Sequence, residues 1–145
     1  MTSQNSIYAL ALAATGWLAL NSAACADIMT FTAKLDAASE VPATSSTGTG
    51  GLTASFDTAT KTLSWKGSVS GLTGDPTAAH FHGPGAAGSN AGVAVPIASF
   101  KSPFTGTAPL TDDQSADLAA GKWYVNVHTA KFPNGEIRGQ VVKDK

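Results

Sequence analysis

Alternation dominates this chain. Met29, Phe31, Ala33 and Leu35 alternate with Thr30, Thr32 and Lys34, the period-two pattern of a half-buried strand. Leu52, Ala54 and Phe56 alternate next. Asp57-Thr58-Ala59-Thr60 then supplies a turn, and Leu63, Trp65, Gly67 and Val69 alternate back, so the pair reads as a hairpin with its apolar faces inward. Ala78 to His82 is a short strand closed by the glycine-rich loop Gly83 to Gly92, expected to lie flexibly over one sheet face. Val93, Val95 and Ile97 resume the alternation, and Pro96 among them marks an edge or a bulge. Trp123 to Thr129 and Glu136 to Val142 form a last hairpin through Pro133-Asn134-Gly135. Between the first strand and the hairpin, Ser39 to Gly51 reads as a surface loop or sheet edge.

One helix interrupts the strands. Thr111 and Gln114 have capping-box spacing, Asp112 and Asp113 sit in the first turn, and Gly121 ends the segment, so a short helix is expected over about 112–120. The predicted fold is all-β: a Greek-key-like sandwich or barrel of about seven or eight antiparallel strands with that one helix.

The amino terminus departs from this pattern. No charged side chain precedes Asp27, and Tyr8 to Leu20 is a continuous apolar run too short to span a bilayer. Ala24-Cys25-Ala26 follows with the small-x-small form of a signal-peptidase site, so residues 1–26 are expected to be a signal peptide cleaved after Ala26. The leader lacks the usual Lys or Arg at its start. A lipid anchor on Cys25 is the rival reading, but Leu20 lies five residues before it rather than three. The mature domain, 27–145, is then periplasmic or extracellular, has no membrane span, and contains no cysteine for a disulfide or a thiolate.

With a net charge of −1 and only 13% charged residues, the chain offers no basic surface for nucleic acid or anionic lipid. There is no G-x-S-x-G elbow, and Asp112 and Asp113 are adjacent on a helix rather than opposed across a cleft, so no catalytic residue is assigned. The three histidines are the chemistry that remains. His80 and His82 share one strand face, with Phe81 on the other. Trp123, Val125 and Val127 take core parity, which sends Tyr124, Asn126 and His128 to the opposite face. Three neutral imidazoles converging there suit copper, or zinc, with one coordination position left open. Asn126, Glu136 and Arg138 are the candidate supporting groups: Glu136 or Arg138 fixes the His128 tautomer or holds an anion beside a metal, or else takes part in an ordinary cross-strand ion pair.

The chain resembles the CHRD (chordin-type) domain. The likeness rests on LDAASEVP (35–42), AAHFHGP (78–84) and GKWYVNVHTAKFPNGEIRGQV (121–141), with Asp36-Ala37 where the family commonly has a Gly. The resemblance implies a β-sandwich or barrel of secreted and cell-surface proteins, with no established enzymatic activity. A fainter likeness to copper/zinc superoxide dismutases lies in the order His80, His82, His128, Arg138, without a zinc-ligand cluster or cysteine pair. Three functions are therefore expected in turn: a secreted copper-binding domain, a structural or extracellular protein-interaction module without metal, and a copper-only redox activity in which Arg138 steers an anion.

Overall fold

The computed structural model describes residues 27–145; the expected signal peptide, Cys25 and the cleavage site fall outside them. Among the described residues, nine strands and one helix make a nearly closed, mostly antiparallel barrel. The strands are β1 (Ile28–Asp36), β2 (Thr49–Asp57), β3 (Thr62–Ser70), β4 (Pro76–His82), β5 (Val93–Pro96), β6 (Phe104–Pro109), β7 (Tyr124–Thr129), β8 (Ile137–Gln140) and β9 (Val142–Lys143), with α1 (Asp112–Ala119) between β6 and β7. Their spatial order is β5-β4-β7-β8-β1-β2-β3-β6, and β9 pairs with β1.

The alternation predicts the inward residues because each strand presents every second side chain to one interior. Phe31, Leu35, Leu52, Phe56, Leu63 and Phe81 are almost fully buried. At Asp57 the turn forms as expected, its Oδ1 accepting from the Ala59 and Thr60 amides at 2.8 and 3.0 Å. Pro96 does lie in an edge strand. The capping box on α1 is complete, Gly121 has φ +72°, and Leu118 enters the core. The helix follows directly from edge strand β6, and Gln114 Nε2 donates to Ala94 O of the other edge strand, β5, at 3.1 Å. It thereby ties the two free edges of the barrel together.

Three features differ from expectation. β6 was not legible: its inward residues are Phe104, Gly106 and Ala108, and a Cβ on Gly106 would lie 2.3 Å from the Trp65 ring. The interior volume there belongs to Trp65, so a glycine stands where alternation needs an apolar side chain. The final strand breaks at Val141, whose amide donates to Trp123 O, and the chain crosses to β1 as β9. Lastly, the outer face of β7 is not solvent-facing, because Tyr124 and Asn126 are buried beneath the loops 83–92 and 37–45.

Candidate metal centre

β4 and β7 are central neighbours, paired Ala78↔His128, His80↔Asn126 and His82↔Tyr124. That register places His80 diagonally across from His128 and one pleat from His82, all on the face away from Phe81 and Val127. The ring centroids are 5.0 Å apart for His80–His128, 5.5 Å for His80–His82 and 6.5 Å for His82–His128. One ring nitrogen from each lies within 4.8 Å of the others. An ion held at ~2.0–2.1 Å allows nitrogen pairs at most ~4.2 Å apart, so the widest pair closes by a small side-chain rotation.

Backbone carbonyls set which nitrogens are free. His82 Nδ1 donates to Ala91 O at 2.9 Å, and its Nε2 is buried with no hydrogen-bond partner. His128 Nδ1 donates to Pro133 O at 3.0 Å, which leaves Nε2 unprotonated. That Nε2 faces His80 Nδ1 at 3.1 Å, so His80 donates from Nδ1 in the metal-free protein. An imidazole whose outer N–H is held by a carbonyl is oriented and more basic at its inner nitrogen, as metal-bound histidines commonly are.

Partial burial, reinforced by His128 and His82, holds His80 below the usual histidine range. Burial also lowers His128, although the Pro133 carbonyl pulls the other way by favouring the protonated ring. On acidification the unfolded chain therefore takes up protons first. The fold's advantage from these two groups is complete above about pH 6.5 and is lost as pH falls through their lower folded values. Urea midpoints measured between about pH 7.5 and 5 are expected to fall with pH, and to fall less in a His80→Ala/His128→Ala variant.

The three proposed supporting residues bond elsewhere. Among the described residues no hydrogen bond joins Asn126, Glu136 or Arg138 to a histidine, and neither Glu136 nor Arg138 takes part in an ion pair. Glu136, in the turn before β8, is fully buried and drawn to hydroxyl donors: Ser46 Oγ at 2.6 Å, Thr73 Oγ1 at 2.8 Å and Thr129 Oγ1, plus the Thr73 amide at 2.7 Å. Burial alone would raise its pKa; the four donors outweigh it and hold the carboxyl below the usual range. Arg138 is long enough to pass over Tyr124 and reach Ser89 O at 2.6 Å and Asn90 Oδ1 at 3.0 Å. Asn126 lies beside the carboxyl of Glu40, which desolvation pushes up against the opposing Val41 amide and Arg138 charge. The tautomer of His128 is set by Pro133 O, a backbone group that no side-chain pattern announces.

Sequence reasoning also missed Glu40, Ala91 O and the contacts of Tyr124. The Tyr124 ring is stacked on His82 at 4.8 Å and 1°. The loop 83–92, expected to be flexible, is fastened by Arg138, by Gln140 Nε2 to Gly85 O at 3.0 Å, and by Asn90 Nδ2 to Val41 O at 2.9 Å. The family model of the CHRD domain matches residues 31–141. No curated protein and no solved structure matches the chain.

Proposed function

The chain belongs to the CHRD domain family, and from that premise we propose that it is an exported binding module, periplasmic or extracellular after cleavage at Ala26, that holds one copper ion. The ligands are His82 and His128 through Nε2 and His80 through Nδ1, with the His80 proton moved to its outer nitrogen. The observation that carries this reading is the buried, unpartnered His82 Nε2 within reach of two further imidazoles. A buried acceptor left without a donor is costly, and a cation bound by all three nitrogens removes that cost. Three neutral nitrogen donors favour copper over zinc among divalent ions. One position stays open towards solvent, because His80 and His128 are half-exposed.

Copper titrated into purified, metal-stripped protein is expected to bind with micromolar or tighter affinity. His80→Ala and His128→Ala should each weaken binding by more than about 100-fold, beyond the loss typical of an outer partner. A silent titration removes the reading.

One observation favours a metal-free interaction module instead. The 3.1 Å His80–His128 contact satisfies two of the three rings without any ion. On that reading a triple-alanine variant keeps its partner binding and stability. Redox chemistry steered by Arg138 has no such support, since the residue is 1% exposed and its guanidinium is already engaged by the loop.

A further inference from the structure

We propose that Arg138 and Tyr124 are positioning residues for the histidine cluster: Arg138 clamps the loop 83–92 over Tyr124, and the clamp locks the ring of His82 with its Nε2 inward. The consequence for an ion rests on the copper reading above; the lock itself does not.

Three adjacent strands supply the column. His82 on β4 lies opposite Tyr124 on β7, and Arg138 on β8 lies opposite Asn126, one pleat along from Tyr124. Tyr124 therefore stands between the imidazole, stacked at 4.8 Å, and the guanidinium carbon, 3.4 Å from the centroid of its ring. A guanidinium over an aromatic face is an attractive contact that strengthens as water is excluded. Above the column, Ala91 is the junction. Its amide donates to the Tyr124 hydroxyl at 3.1 Å, and its carbonyl accepts from His82 Nδ1. Whatever places the Ala91 carbonyl therefore chooses the His82 tautomer.

The loop cannot place that carbonyl unaided. Glycine stands at 83, 85, 88 and 92, and such a segment has little conformational preference of its own. The two residues immediately before Ala91 are those that Arg138 grips, Ser89 through its carbonyl and Asn90 through its amide oxygen. Arg138 is almost fully buried and, among the described residues, forms no ion pair. The one carboxyl whose ionisation it favours, Glu40, is itself pushed towards its neutral form by burial, so the cation is a poor device for stability alone, whereas its two-pronged grip on 89 and 90 holds one carbonyl in one place. Linkage makes the effect reciprocal: an ion on His82 Nε2 orders the loop as the loop favours the ion.

Long-range ¹H–¹⁵N NMR of the imidazoles in the metal-free protein reads the lock directly. Wild type is expected to show His82 as a single Nδ1–H tautomer; an Nε2–H form or a mixture there overturns the inference. Arg138→Met is expected to give a tautomer mixture at His82, with copper affinity about 10–100-fold lower and one fewer coupled nitrogen in the Cu(II) EPR spectrum. Tyr124→Leu puts the same question if Arg138→Met does not fold, and Tyr124→Phe, which keeps the stack, should fall between it and wild type. A folded Arg138→Met with an unchanged His82 tautomer sinks the clamp and leaves the metal reading standing. A wild type that binds no copper but shows the locked tautomer sinks the metal reading and leaves the clamp.

Discussion

Glu136→Ala is expected to remove about 3–5 kcal/mol of folding stability, a large share of the ~5–15 kcal/mol that a domain possesses. The carboxylate collects donors from three separate segments: Ser46 in the loop before β2, Thr73 in the loop after β3, and Thr129 at the end of β7. Its own carbonyl accepts from Thr44 Oγ1 at 2.8 Å. Alanine keeps the carbonyl and deletes the carboxylate, so the Thr73 amide loses its acceptor in a partly buried place, and charge-assisted bonds are worth about twice neutral ones. Thermal unfolding should report a fall of more than about 10 °C, and hydrogen exchange should show residues 44–48 and 71–75 opening first. Because the folded pKa of Glu136 is depressed, its contribution is present above the unfolded carboxyl value and is lost as pH drops through the folded one. The gap between wild type and Glu136→Gln should therefore narrow in acid. A Glu136→Ala protein that melts with wild type would show that the three segments are held by other means.

Gly139→Ala should do comparable damage by a different route. A Cβ there would stand 2.3 Å from Lys34 O and 2.7 Å from Lys34 C, backbone atoms of β1 that cannot rotate away. This is the seam where β8 meets β1, and the two pair only at Asp36↔Arg138. Separating the strands there loosens the register on both sides, and about 3 kcal/mol or somewhat more is the expected cost of the overpacking. Gly51→Ala, on β2 where it also faces β1, is the control: its Cβ would find only Ala33 O, at 4.0 Å. Urea unfolding should separate the two variants clearly. Equal midpoints would mean that the seam is not tight.

Alternation was enough to read most of this fold, because a barrel strand has one interior and one exterior and the side chains report which is which. It failed at β6 for a local reason, since Trp65 occupies the space above Gly106. The histidine cluster was legible to the level of parity: His80, His82 and His128 do share a face, and strand pairing brings them together. Parity says nothing about how far a side chain reaches or what lies above the sheet. Arg138 shares the histidines' face yet extends away to Ser89, and Glu136 turns to hydroxyls in loops distant along the chain. The groups that orient His82 and His128 are carbonyls of Ala91 and Pro133, and every residue has a carbonyl, so no residue type could mark them.

The bridging of the barrel's two edges by α1 has a consequence beyond this molecule's own stability. An unpaired strand margin is a template on which another chain can add in register, the first step towards a cross-β aggregate. On β5 that template is spoiled twice: the Ala94 carbonyl is already occupied by Gln114, and Pro96 has no N–H to give. A stray strand arriving at this margin finds little to pair with, so the incompletely closed barrel avoids polymerising through its own gap.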